Sequence, residues 1–251
     1  NLHNNVNKYG WDEFRSLESM QLLNNTGDIN NIKIISTGGG IIENHISRNF
    51  MESNLIIWIK RDKSKVDISN RKLQDSYDNL EIQRNNIYES MSDYIYYNDG
   101  KPDDFVKWLK LVLFQNPISS MSTFLCKSDS NYESNISSCI EIRGDLFEEN
   151  YGLNVIQETM IKFGKPCIYT LRTKNEGGLF NQSNEDYINI NKKAIKLGIR
   201  FLDIEVNKNV RIKSNIDIIG SIHSNDLNYI NNNLENFNNE ILKIVSSDNI
   251  C

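Results

Sequence analysis

Acids, guanidinium groups and one imidazole recur in the second half of this chain, each close behind a short apolar run. They are Glu141 and Arg143, then Arg172 with Lys174 and Glu176 ahead of Gly177-Gly178, then Asp203 and Glu205, and last His223. An arginine can hold a carboxylate or a pair of hydroxyls through two parallel hydrogen bonds, so Arg143 and Arg172 suit a small polar ligand of that kind. Paired with Glu141 and Glu205 instead, the same arginines would be plain structural ion pairs, and Asp203 is read in that structural way. A lone histidine is more often structural than functional. His223, however, stands in the same series as the acids and arginines, which favours a functional role. In the first half, Gly38-Gly39-Gly40 closes another apolar run, and alone it reads as a turn.

These groups need a scaffold that brings strand ends together. Apolar runs at 122–126, 138–142, 167–172, 200–205 and 216–222 are predicted strands, with helical patterns between the later ones. Ser183-Asn-Glu-Asp186 is a capping box opening a helix with Tyr187, Ile190 and Ala194 on one face. Leu227, Ile230, Leu234, Phe237 and Ile241 repeat at helical spacing and predict one amphipathic helix running to about Val245. Strands alternating with helices indicate an α/β fold, either a doubly wound sheet or part of a (β/α)8 barrel. In a barrel, the functional residues gather at the C-terminal ends of the strands. A whole barrel needs about 250 residues, so 118–251 can hold little more than half of one, and the chain is expected to stop as a further strand begins.

Upstream, 33–37 and 55–59 read as strands around a helix-length stretch, a βαβ unit of a parallel sheet. Residues 62–76 are polar and patternless, like a loop. A helical stretch follows to about Asp93, then the run Tyr94-Ile-Tyr-Tyr97. Beyond Gly100-Lys-Pro102 a helix carries Asp103 and Asp104 in its first turn and Phe105, Trp108, Leu109 and Val112 on one face. Pro117-Ile-Ser-Ser120 marks the boundary between a first domain, 1–116, and a second, 117–251.

Composition excludes several classes. With 13 Gly, 3 Pro and 4 Cys in 251 residues, the chain is neither collagen-like nor disulfide-rich. A net charge of −5 gives no electrostatic reason to expect nucleic acid or an anionic membrane as partner. No run approaches the ~20 apolar residues of a membrane span. Cys126, Cys139, Cys167 and Cys251 are scattered, which predicts reduced thiols in a cytoplasmic protein and no metal site. Clustered asparagines such as Asn231-Asn232-Asn233 fill surface positions between apolar residues.

Four motifs carry a resemblance. Cys139-Ile-Glu-Ile-Arg-Gly-Asp145, Tyr169-Thr-Leu-Arg-Thr-Lys-Asn-Glu-Gly-Gly178, Phe201-Leu-Asp-Ile-Glu205 and Gly220-Ser-Ile-His223 resemble, in order, the strand ends of type I 3-dehydroquinate dehydratase. In that family a lysine forms an imine with the substrate ketone, and a histidine serves as general base and acid in the elimination of water. The resemblance implies that role for His223, a supporting role for Glu176, and substrate binding by Glu141, Arg143 and Arg172. The imine lysine of the family lies on the sixth strand. Because Lys243 falls inside the helix pattern, the lysine is expected at, or within a residue or two of, the position following Cys251. The chain itself is then expected to lack dehydratase activity.

In the first half, Phe14-Arg15 with Glu18, Ser36-Thr37-Gly38-Gly39-Gly40, and Arg84 with Tyr88 resemble the C-terminal part of a shikimate kinase. That resemblance implies that Arg15, Gly39, Gly40 and Arg84 line the shikimate site and that Arg71 belongs to the lid over ATP. Arginines clamp a carboxylate, and glycine lets the backbone approach the ring. The G-x-x-x-x-G-K-[ST] phosphate loop is absent from the chain and expected upstream. The implied fold is a partial P-loop-kinase-like parallel sheet followed by a partial (β/α)8 barrel.

A kinase running directly into a dehydratase resembles the pentafunctional AROM polypeptides of fungi and some protists. The chain then reads as an internal piece of a multifunctional shikimate-pathway enzyme. Its parent would phosphorylate shikimate with ATP and Mg, and would dehydrate 3-dehydroquinate through an imine with no cofactor. The implied partners are those two small substrates, the rest of the AROM chain and a second copy in a cytoplasmic homodimer, with neither nucleic acid nor membrane. The alternative is a non-catalytic scaffold or binding module derived from such an enzyme. Ser224-Asn225 behind His223, and Arg71 without a following proline, favour the alternative. The joint presence of the polar site residues favours the enzyme.

Overall fold

The computed structural model describes residues 2–25, 33–66, 77–113, 126–127, 138–208, 210, 212, 216–234 and 241–245. Arg71 and the boundary expected at 117–120 lie outside the described residues. Two compact units divide between Ile95 and Tyr96.

The first unit opens with helix α1 (Leu2–Asn24), broken at Gly10, whose φ of 82° is open to glycine at no steric cost. A 3-10 turn (Ile41–Glu43) leads into α2 (His45–Met51), capped by the Asn44 side chain. Strand β1 (Ile57–Lys60), helix α3 (Tyr77–Met91) and strand β2 (Tyr94–Tyr97) follow, and β2 pairs with β1. Leu22, Ile41 and Ile42 form the core, packed by Phe50, Met51, Ile87 and Met91. The strand expected at 33–37 is not formed: residues 33–38 join no ladder, and Ile34 is 83% exposed. An apolar run becomes a strand only where a neighbour takes up its N–H and C=O groups, and the described residues offer this run none.

The second unit is built on a six-stranded sheet. Its strands are β3 (Cys126–Lys127), β4 (Cys139–Arg143), β5 (Cys167–Thr170), β6 (Phe201–Glu205), β7 (Asp217–His223) and β8 (Ile241–Val245). All are parallel, and each lies beside its neighbour in sequence. A doubly wound sheet reverses its order at a switch point, whereas a barrel advances without reversal. Sequential order selects the barrel arrangement. The helices are α4 (Pro102–Leu113), α5 (Ile156–Phe163), α6 (Asn184–Lys196) and α7 (Leu227–Leu234). The capping box of α6 forms as the sequence predicts, with Ser183 Oγ accepting from the Asp186 N–H and Asp186 accepting from the Ser183 N–H.

The helix predicted from Leu227 to Val245 is two elements. α7 stops at Leu234, and Ile241–Val245 is the sixth strand, pairing Ser221 with Lys243 and His223 with Val245. Its side chains alternate. Ile241 joins the inner cluster of Cys139, Ile168, Phe201 and Ile219, one residue from each of β4 to β7. Leu242 packs outward with Val206, Ile222 and Ile230 beneath α7. That period of two belongs to a strand. The strand therefore lies within the chain, and with it a lysine.

Two residues beyond the apolar inner cluster, the same strands present Glu141, Thr170, Asp203, Ser221 and Lys243. Two residues further come Arg143, Arg172, Glu205, His223 and Val245. The inner face thus runs from an apolar floor to a polar upper part at the C-terminal strand ends, where barrels keep their chemistry.

Helix α4 is an integral part of this unit. Trp108 is fully buried, stacks with Tyr96 and Phe105, and donates from Nε1 to the Leu197 carbonyl at 3.0 Å. Gly198, next in the chain, has φ 99°, and a Cβ there would come within 2.7 Å of Val112 and 2.8 Å of Trp108. Trp108→Ala should lower the unfolding free energy of this unit by about 3–5 kcal/mol, measured by urea denaturation followed by circular dichroism. A loss below about 1 kcal/mol would mean that α4 does not hold the unit together.

Candidate active site

The polar part of the barrel is organised around Arg172, which is 3% exposed. Its guanidinium donates to Asp203 Oδ1 at 2.9 Å, Ser221 Oγ at 2.8 Å and Glu176 Oε2 at 3.3 Å, with Glu205 Oε1 at 3.7 Å. Ser221 also donates to Asp203. Buried charge needs such partners, because unpaired ions are expensive in a low dielectric. Asp203, read from sequence as structural, does pair with Arg172. It also approaches Lys243: Lys243 Nζ lies 3.3 Å from Asp203 Oδ2 and 3.5 Å from Glu141 Oε1. Glu141 accepts a further bond from Thr170 Oγ1 at 2.6 Å.

His223, at the end of β7, meets Glu176 twice. Glu176 Oε2 is 3.2 Å from His223 Nδ1 and accepts the His223 backbone N–H at 3.1 Å. An ionised carboxylate only accepts, so Nδ1 carries the proton and Nε2 is left for a bound molecule. A cavity of about 660 Å³ opens there, with His223, Asn207, Tyr229, Asn175 and Ser224 in its wall.

Arg143 is held by Asp145 rather than Glu141, through Nε and one terminal nitrogen at 2.9 and 2.8 Å. Asp145 also accepts the backbone N–H groups of Arg172 and Leu179. Burial alone would raise the Asp145 carboxyl, but the Arg143 hydrogen bonds and charge and those two N–H groups hold it below the usual carboxylate range. Glu205 behaves in the opposite sense. Burial, with the Glu176 charge, pushes it up despite the two bonds it accepts from Thr173.

In the first unit, Arg15 on α1 and Arg84 on α3 converge on one carboxylate. Glu43 accepts from Arg15 Nε at 2.7 Å and from Arg84 Nε at 2.9 Å, with a terminal nitrogen of Arg84 on the same oxygen. Glu18 holds the outer edge of Arg15. The paired arginines hold Glu43 below the usual carboxylate range against a partial burial that opposes them. Tyr88 donates to the Gly39 carbonyl. A Cβ at Gly40 would overlap the Arg15 guanidinium, so only glycine lets that arginine lie across the turn.

The structure thus brings Glu141, Arg172, Glu176 and His223 into one barrel site with Arg143 at its edge, and Arg15, Gly39, Gly40 and Arg84 into a second cluster in the first unit. Arg71 lies outside the described residues. Sequence reasoning passed over Lys243, whose strand hid in a helical spacing. It also passed over Glu43, Asn207 and Tyr229, which are single polar residues without a motif, and gave no role to Asp145, which closes the first motif.

The lowered Asp145 fixes a pH response. A carboxyl with a depressed folded value contributes its full stability above the unfolded value, about 4, and loses it as pH falls from there through the lower folded value. Asp145→Asn should therefore flatten the fall in unfolding free energy between about pH 5 and pH 3. An unchanged slope in urea titrations across that range would contradict the assignment.

Both parts of the chain match known families. Residues 2–112 match the shikimate kinase family model, and residues 127–246 match that of type I 3-dehydroquinase. The chain is 27% identical over 254 residues to a pentafunctional AROM polypeptide of Clavispora lusitaniae, covering 85% of this chain and 16% of that protein. It is 30% identical over 254 residues to the pentafunctional AROM polypeptide of Pneumocystis carinii, covering 80% of this chain and 16% of that protein. A 3-dehydroquinate dehydratase of Methanocaldococcus jannaschii is 39% identical over 89 residues, 34% of this chain and 38% of that protein. The chain spans about one sixth of the length of the AROM relatives it matches. It joins a segment of the shikimate kinase family to a segment of the type I 3-dehydroquinase family.

Proposed function

We propose that the barrel unit dehydrates 3-dehydroquinate to 3-dehydroshikimate through an imine on Lys243, as part of a multifunctional shikimate-pathway enzyme. The observation that carries this reading is the register of β8 on β7, which sets Lys243 beside Ser221 and turns its amine toward Glu141 and Asp203. Attack on a ketone requires a neutral amine, and those two carboxylates lie within reach of the departing proton. The amine adds to the ketone carbon and water leaves, giving an iminium that draws electrons from the neighbouring carbon. His223 then takes the α-proton, and the substrate hydroxyl departs as water with a proton returned by His223. Hydrolysis of the imine releases product and restores Lys243. Glu176 steadies the imidazole throughout, and Arg143, Glu141 and Arg172 set the ring and its substituents.

In the full-length protein, borohydride with dehydroquinate should attach one reduced substrate to the peptide carrying Lys243, read by mass spectrometry. Lys243→Met should abolish both labelling and turnover. His223→Gln should keep the labelling while slowing elimination by about 100-fold or more. Labelling elsewhere, or none, would overturn the lysine assignment and favour a non-catalytic remnant.

The first unit supplies the shikimate side of a kinase site, with Arg15 and Arg84 taking the substrate carboxylate in place of Glu43. ATP is the donor that the kinase family implies, with Mg as its companion. The sequence carries no G-x-x-x-x-G-K-[ST] loop. Arg84→Ala in the full-length protein should lower kcat/KM for shikimate by about 10- to 100-fold, since a charged hydrogen-bond pair is worth roughly 1.5–3 kcal/mol. Unchanged kinetics would make the Arg84–Glu43 pair purely structural.

A further inference from the structure

Glu176 has two oxygens with different neighbours. Oε2 faces His223 Nδ1, the His223 backbone N–H and Arg172. Oε1 meets two groups that no motif points to. Asn207 Nδ2 donates to it at 3.1 Å, and the Tyr229 hydroxyl reaches it at 3.4 Å. Asn207 Nδ2 also donates to Tyr229 Oη at 2.7 Å, which ties the two together. The groups come from three elements: Glu176 from the 3-10 turn after β5, Asn207 from the turn after β6, and Tyr229 from α7.

The orientation of Asn207 is set by its surroundings. Its Oδ1 is buried with no hydrogen-bond partner among the described residues, while its amide hydrogens are engaged. Turning the amide over would point a carbonyl oxygen at a carboxylate, so the donors face Glu176 despite the oxygen left unpaired. Tyr229 is likewise held as a donor. Its phenol is pushed up by burial and by the neighbouring Glu176 and Glu205 charges, against the bond from Asn207, so it keeps its proton at neutral pH.

We propose that Asn207 and Tyr229 form a positioning pair that holds the Glu176 oxygen not bonded to His223 and thereby aims the imidazole for proton transfer. The proposal rests on the dehydratase reading of the barrel. A carboxylate pulled from one side only, by Arg172 and His223, could rotate about its last bond and release the ring. Two donors on the other oxygen remove that freedom. The aromatic ring of Tyr229 packs against Val206, Ile222 and Ile230, so its packing and its hydroxyl can be separated by mutation.

The test uses the full-length protein, three single variants and one double variant. Tyr229→Phe keeps the ring and removes the hydroxyl; Asn207→Leu keeps the branched shape and removes both donors. Each should lower dehydratase kcat by about tenfold with KM for dehydroquinate within about twofold, the signature of an effect on the chemical step rather than on binding. Borohydride labelling of Lys243 should remain at the unmutated level, because imine formation does not pass through Glu176. In a Glu176→Gln background, Tyr229→Phe should have no further effect, because both changes act on one unit. A raised KM at constant kcat would place Tyr229 and Asn207 on the substrate and overturn the proposal. So would an undiminished tenfold effect in the Glu176→Gln background, or unchanged kcat in both single variants. If the unmutated protein is itself not labelled, the dehydratase reading fails and the proposal falls with it. That result is distinct from a labelled protein whose variants keep full kcat.

Discussion

A single buried guanidinium governs the barrel. Arg172 lies among Asp203, Glu176 and Glu205, with Ser221 completing its contacts, and almost nothing of it reaches solvent. Two of these acids come from β6, the third from the turn after β5 and the serine from β7, so the charge can be satisfied only if β5, β6 and β7 stand in their observed register. Removing one member of such a pair leaves an uncompensated ion and costs about 3–5 kcal/mol. The arginine therefore ties strand alignment to electrostatics. The same alignment delivers Glu176 to His223 and Asp203 to Lys243.

The inner face of the sheet divides labour by height. Its floor is an apolar cluster drawn from β4 to β8, which supplies burial without chemistry. One step up, every strand from β4 to β8 contributes a residue with a polar side chain, and these satisfy each other rather than water. A polar interior layer is tolerable because its donors and acceptors are matched. Glu205 shows the tension that remains: two bonds from Thr173 do not outweigh its burial beside Glu176.

How far this could be read from sequence depended on how local each signal was. The capping box at Ser183 and the first-turn acids Asp103 and Asp104 need only neighbours a few residues away, and both helices form as expected. The ends of β4 to β7 were legible because acids and arginines follow apolar runs there. β8 was not. Its apolar residues continue the three- and four-residue spacing of α7 across a stretch without glycine or proline, and a five-residue run such as Ile-Leu-Lys-Ile-Val fits either period. Only pairing with β7 decides it. Residues 33–38 fail for the converse reason: the run is strand-like, but among the described residues nothing pairs with it. The roles of Glu43, Asn207 and Tyr229 come from partners 22 or more residues away, and Asp145, though it closes a motif, shows its hold on Arg143 only in the structure.

The Glu43 bridge changes what recognition means in the first unit. Two arginines beside an empty pocket would form a bare cationic trap, drawing any anion over a distance set by screening, about 10 Å at 0.1 M salt. Here both guanidinium groups already hold a carboxylate. An incoming acid does not add a charge contact; it exchanges one carboxylate for another, as on a resin already carrying its counterion. On the kinase reading proposed above, discrimination passes to the parts of the guest that Glu43 cannot imitate, the ring and its hydroxyls.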